Sequence, residues 1–186
     1  ADLEVALNAA VPTKFANAGQ VCVTGDRFYV HESMQEKFVD GFAVRAKALK
    51  LGHGLDEASQ MGPLINARRI AAIDGIVAEA RRRGGRVVTG GERPSGKNKG
   101  FFYSPTVIAN LPDDALALAE ENFGPIAAIT PFQTDDEVYA RANSTELGLS
   151  AYAFTQSARR MRETVARLEA GMVGINSFAL AAAEAP

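Results

Sequence analysis

Ile126-Ala127-Ala128-Ile129-Thr130-Pro131-Phe132 reads as an apolar strand, and a helical pattern follows at once, capped by Thr134 and running to about Asn143. The alternation continues downstream. Ser150 to Thr155 reads as a strand, Ser157 to Glu169 as a helix ended by Gly171, and Met172 to Asn176 as a last strand. Strands separated by helices need crossover connections. The expected fold is therefore α/β, with three layers (α/β/α) around a mostly parallel, twisted sheet covered on both faces.

The segments before this run repeat the pattern. Leu3, Leu7, Ala10, Val11 and Phe15 recur at helical spacing, and Pro12 is predicted to kink this helix or divide it into two turns. Arg27 to His31 reads as a strand. Ser33 is predicted to cap a helix to about Leu49, with Met34, Phe38, Phe42 and Ala46 on one face. Asn66 caps a further helix carrying Ile70, Ile73, Val77 and Ala80, which stops at Gly84-Gly85. Arg86 to Thr89 is a short strand, Gly90 to Gly100 a polar loop, and Phe101 to Ile108 extended, with Pro105 marking an edge or a bulge. No internal repeat or low-complexity tract interrupts the pattern.

Composition narrows the function classes. The 186 residues are 47% hydrophobic and 23% charged, enough for one domain with a substantial core. A net charge of −2 with interspersed signs argues against nucleic acid and against a polybasic membrane surface as partners. No stretch reaches the length of a membrane span. The one cysteine cannot form an internal disulfide, so a reducing, cytoplasmic setting is expected.

Several local motifs fail on their chemistry. Gly91-Glu92-Arg93-Pro94-Ser95-Gly96-Lys97-Asn98 approaches a phosphate-binding loop. However, Asn98 replaces the hydroxyl residue, Pro94 removes an amide, and strand rather than helix follows. No Gly-x-Gly-x-x-Gly pattern appears, so the chain shows no dinucleotide fingerprint of its own. Arg81-Arg82-Arg83 lies on a helix's last turn, where cations complement the helix dipole and stay hydrated. Cys22, His31 and His53 lack zinc-site spacing, and no metal is expected.

Cys22 lies in Asn17-Ala18-Gly19-Gln20-Val21-Cys22, between a helix and a strand. A cysteine at such a junction is open to substrate and to polarisation by backbone amides, whereas one packed inside an element is an inert hydrophobe. Position alone leaves both readings open. A Cys-His hydrolase or acyltransferase would need a nearby base. His31, nine residues on, is roughly 25 to 30 Å away if the segment is extended, while His53 in a loop stays open. Glu120-Glu121-Asn122-Phe123-Gly124-Pro125 places two acids and an aromatic before a Gly-Pro turn, either as a plain turn or as a carboxylate and ring able to hold a hydroxylated, flat cofactor.

Together these stretches resemble the aldehyde dehydrogenase superfamily. The Asn17–Cys22 segment with Arg27-Phe28-Tyr29-Val30 is similar to its catalytic-cysteine segment, Met61-Gly62-Pro63-Leu64-Ile65 to its central loop, and Glu120–Pro125 to its Glu-Glu-x-Phe-Gly-Pro motif. Asn143-Ser144-Thr145-Glu146-Leu147-Gly148-Leu149 and Gly171-Met172-Val173-Gly174-Ile175-Asn176 are similar to two later signatures. The resemblance implies that Cys22 is the nucleophile attacking an aldehyde, with its own N–H as half of an oxyanion hole. It further implies that Glu121 and Phe123 bind NAD or NADP, and that Asn17, Gly19, Gly124 and Asn176 are structural residues near the site. The implied product is a carboxylic acid, formed through a thiohemiacetal and a thioester.

Departures from the family pattern refine this expectation. The resemblance makes residues 1–186 the catalytic domain of a longer homodimeric or homotetrameric enzyme. Its coenzyme-binding domain, general-base glutamate and second oxyanion donor would lie upstream, and its oligomerisation strand downstream. Such a domain alone is expected to be inactive. Gly174-Ile175-Asn176 and Ala183-Glu184-Ala185-Pro186 resemble the succinate-semialdehyde branch, yet Ala16 stands where that branch carries arginine, and it carries a serine near Ala182 or Ala183. An uncharged aldehyde therefore remains an alternative to a semialdehyde. Thr24 replaces a second cysteine, so no disulfide switch is expected. The contrasting reading is a non-catalytic α/β interaction domain with an idle thiol.

Overall fold

The computed structural model describes residues 1–97 and 99–180. Among the described residues six α-helices and six strands follow in chain order: α1 (Leu3–Phe15), β1 (Arg27–His31), α2 (Gln35–Ala48), α3 (Ala67–Arg82), β2 (Arg86–Thr89), β3 (Thr106–Ala109), α4 (Leu116–Ala119), β4 (Ile126–Phe132), α5 (Asp135–Ala142), β5 (Ser150–Ala153), α6 (Ala158–Arg167) and β6 (Met172–Ile175). Strands β1, β4 and β3 are parallel, and β2 closes a four-stranded sheet of order β1-β4-β3-β2 by pairing antiparallel to β3. Strands β5 and β6 form a separate parallel pair.

Register assigns side chains to the two faces of the larger sheet. Phe28 pairs with Ile129, which in turn pairs with Ala109. This face meets α2, where Phe28 packs on Phe38 and on Phe42, the latter edge-on at 5.2 Å. Phe15 of α1 joins the cluster against Phe42 at 6.1 Å, each such pair contributing about 0.5–1.5 kcal/mol beyond area burial. The alternate residues face the other way. Ile108 approaches Gly85 after α3, and Thr130 accepts from Arg141 of α5. All of β3, and β4 from Ile126 to Thr130, is buried, as the expected covering of both faces requires.

Side-chain caps explain several helix starts. Asn66, Thr134 and Ser157 cap α3, α5 and α6 by accepting from Arg69, Glu137 and Arg160 amides. Four expectations need correction. Helix α1 continues across Pro12 to Phe15 instead of dividing there, and Asp2 caps it. Ser33 lies in a 3-10 turn before α2, where its own amide donates to His31 Nδ1. Pro105 precedes β3, an interior strand, while the register irregularity lies in β2 between Val87 and Thr89. Helix α4 is additional, a single Ala/Leu turn too short to produce a helical period in the sequence.

Two of the three arginines at the end of α3 are engaged. Arg81 donates to the Gly91 carbonyl, and Arg83 pairs with Asp114 and Glu79. Gly91 lies beside β3, its N–H donating to Thr106 Oγ1. Asn98, the last residue of the rejected phosphate-loop pattern, lies outside the described residues, as do Ala182 and Ala183.

Candidate active site

Because β1, β4 and β3 run parallel, the segments entering them emerge at the same edge of the sheet. Those segments are residues 16–26, 120–125 and 100–105. The loop 61–65 joins them: Leu64 N–H donates to the Phe101 carbonyl at 2.9 Å, and Ile65 N–H to Gln20 Oε1 at 3.0 Å. These four stretches, far apart in sequence, meet with α3 around a cleft of about 550 Å³ lined in part by Asn17, Gln20, Ile65, Arg69, Phe101 and Phe123.

The cysteine segment owes its shape to three successive left-handed residues, Asn17 (φ 48°), Ala18 (φ 56°) and Gly19 (φ 72°). Asn17 tolerates that region well, whereas Ala18 costs about 1–2 kcal/mol there. Reciprocal bonds hold the turn: Asn17 Nδ2 donates to the Gln20 carbonyl, and Gln20 Nε2 to that of Asn17. Ala18 is buried, and Gly19 lies directly against Gly124. Cys22 itself is exposed, in a turn closed by Thr24 N–H donating to the Val21 carbonyl. Among the described residues no acceptor takes the Cys22 N–H.

The acidic segment is set just as firmly. Asn122 is buried, its amide nitrogen donating to the Ala117 carbonyl and its backbone N–H to Asp26 Oδ2. Phe123 takes φ 42°, which turns its ring to the cleft. Glu121 is exposed. Gly124 leaves room for Ile73 of α3, whose Cδ1 would lie 2.3 Å from an added Cβ. Phe123 lines the cleft with Phe101, Leu64 and Ile65, an aromatic and aliphatic wall that suits a flat ring, whereas Glu121 and Cys22 are not among its lining residues.

The remaining sequence candidates lie in the β5–β6 unit. Gly171 N–H donates to the Gly148 carbonyl, joining the Asn143–Leu149 and Gly171–Asn176 stretches. Asn176 (φ 54°) exchanges two side-chain bonds with the Thr155 backbone, at 2.8 and 2.9 Å, and so fixes the ends of β5 and β6. The unit reaches the cysteine loop through Tyr152, whose hydroxyl donates to the Val23 carbonyl at 2.6 Å and whose ring stacks on Phe178 at 4.2 Å. Neither histidine serves Cys22: His31 bonds Ser33, and His53 accepts from Leu55.

Sequence reasoning missed Lys14, Asp26 and Tyr152. Lys14 falls on the apolar stripe of α1, three residues after Val11 and seven after Leu7, and is fully buried against Asp26. A charge on an apolar helical stripe was the available signal. Burial pushes the Lys14 pKa down, while Asp26 and, more weakly, Glu121 pull it up.

The whole chain, residues 1–186, matches the aldehyde dehydrogenase family. It belongs to that family. Among its relatives, a succinate semialdehyde dehydrogenase of Acinetobacter baylyi is 40% identical over all of this chain and 38% of its own length. A betaine aldehyde dehydrogenase of Cereibacter sphaeroides is also 40% identical, with the same coverage of both chains. The aldehyde dehydrogenase of Bacillus cereus, solved as its NAD+ complex, superposes with a TM-score of 0.95 at 36% identity, covering 100% of this chain and 38% of that one. The chain therefore spans about two fifths of the length of these aldehyde dehydrogenases. Among the described residues no helix is long and apolar enough to cross a membrane.

Proposed function

We propose that Cys22 is the nucleophile of an NAD(P)-dependent oxidation of an aldehyde to a carboxylic acid. The observation that carries this reading is an exposed thiol on a loop locked against the Glu120–Pro125 segment. In the first step the Cys22 thiolate adds to the aldehyde carbon, and the carbonyl electron pair moves onto oxygen. The Cys22 N–H donates to that oxygen, a contribution worth about 3 to 4 kcal/mol for a well-placed donor. Full ionisation of a free thiol near neutral pH supplies less, about 1.5 to 2 kcal/mol. The shape of the loop thus matters at least as much as the ionisation of the sulfur.

When bound, NAD(P) supplies the hydride acceptor that makes conversion of a Cys22 thiohemiacetal into a thioester possible. Glu121 would accept hydrogen bonds from ribose hydroxyls, and Phe123 would offer its ring to the flat nicotinamide. Water then adds to the thioester carbon and the Cys22 thiolate leaves, releasing the acid. Asn17, Gly19, Gly124 and Asn176 hold the surrounding backbone. In this proposal the general-base glutamate and second oxyanion donor come from outside these 186 residues, as does most of the coenzyme site. The working enzyme is a cytoplasmic homodimer or homotetramer, and residues 1–186 alone have no turnover.

Substrate choice turns on Ala16. The relatives at 40% identity carry different substrate names, so overall similarity does not choose. Ala16 is exposed beside Asn17 and brings a methyl where a carboxylate-gripping arginine would stand. Losing such a charge-assisted pair removes about 1.5 to 3 kcal/mol of discrimination, which favours an uncharged aldehyde over a semialdehyde. The test compares kcat/KM for succinate semialdehyde and butanal on the full-length enzyme and its C22A variant. Comparable values, abolished in C22A, support the proposal. A large preference for the acid shows that its charge is read elsewhere, and turnover by C22A removes the nucleophile.

A further inference from the structure

We propose that the buried Lys14–Asp26 ion pair is a positioning device for coenzyme, holding the Glu121–Phe123 segment where it can bind. The inference rests on the dehydrogenase reading and adds two residues to it. Asp26 uses both oxygens: Oδ1 takes the Lys14 ammonium, and Oδ2 accepts from Asn122 N–H at 3.0 Å. That amide lies between Glu121 and Phe123, in the same backbone that must hold Phe123 at a left-handed φ.

Lys14 is fixed by α1, and Asp26 sits at the entrance to β1, four residues beyond Cys22. One carboxylate thus connects α1, the end of the cysteine loop and the acidic segment. The ammonium is fully buried, whereas the Asp26 side chain keeps 17% of its exposure. With Lys14 gone, the carboxylate has water within reach and no cation to hold it inward, and the Asn122 amide loses its acceptor. Buried ion pairs are inefficient as a source of stability. The geometry accounts for this one by what it holds in place.

The experiment uses the full-length enzyme and its K14M and K14M/D26N variants. Three quantities are read: hydrogen exchange at the Asn122 amide, NADH and NADPH affinity by fluorescence, and the rate of Cys22 alkylation by iodoacetamide. In K14M, exchange at Asn122 should accelerate and coenzyme Kd should rise by about tenfold or more, the scale of a lost charge-assisted bond, while alkylation is unchanged. In K14M/D26N an uncharged amide oxygen can still accept from Asn122, so affinity should largely return. A K14M enzyme with a lower Tm but unaltered Asn122 exchange and coenzyme Kd overturns the proposal. So does a parallel change in all three readouts, which marks general loosening. If the unsubstituted enzyme binds neither coenzyme, the dehydrogenase reading fails first, before any substitution is made.

Discussion

A Cβ added to Gly19 would lie 2.1 Å from the carbonyl oxygen of Gly124, so the backbones of the cysteine loop and the acidic segment touch without an intervening side chain. Gly19 also sits at φ 72°. Gly19→Ala combines a left-handed penalty with a clash against backbone that cannot swing aside. Its expected cost is about 2–5 kcal/mol, measured by urea unfolding, with loss of aldehyde oxidation.

Cys22 contributes little packing, being exposed. Cys22→Ala should therefore leave the unfolding free energy within about 0.5 kcal/mol of the parent while abolishing aldehyde oxidation. Denaturation and steady-state assays on one preparation of the full-length enzyme test both halves. A large loss of stability would mark the cysteine as a packing residue.

Tyr152 links the β5–β6 unit to the cysteine loop through its bond to the Val23 carbonyl. Tyr152→Phe should cost about 1 kcal/mol, because one partly buried hydrogen bond is lost while the stacking on Phe178 stays. Alkylation of Cys22 should change rate in this variant, since Val23 is its chain neighbour. An unaltered rate would show that the loop is held without the tyrosine.

Tyr103 is buried, and its hydroxyl has no hydrogen-bond partner among the described residues. Desolvation, reinforced by the Asp74 carboxylate, raises its pKa well above the ordinary 10.0. The unfolded chain then releases this proton at lower pH than the folded one. The stabilising contribution is complete below pH 10.0 and declines as pH rises above it toward the folded value. Guanidinium unfolding at pH 8 and pH 11 should show a drop that Tyr103→Phe reduces, with little change in stability at pH 8.

Much of the fold was legible in the sequence because helical and extended periods differ. Ile70, Ile73, Val77 and Ala80 defined α3, and the cap chemistry of Asn66, Thr134 and Ser157 set three helix starts. Ser33 misled because a hydroxyl before an apolar stripe satisfies the capping pattern even where a histidine ring accepts the amide instead. Pro105 misled because its missing N–H was read as an edge signal, although a proline just before an interior strand leaves that strand's ladder intact.

For the candidate site, the sequence by itself singled out the cysteine, the acid and aromatic pair, and Gly19 at a turn that takes a left-handed φ. Only the tertiary structure decided that the cysteine loop packs on the acidic segment, that Asn17, Gln20 and Phe123 line one cleft, and that Lys14 and Tyr152 bond Asp26 and Val23. The physical reason is that sequence patterns report local backbone preference and burial period. The meeting of residues 19 and 124, or 26 and 122, depends instead on which strands lie parallel and on which buried charge finds its partner across the chain.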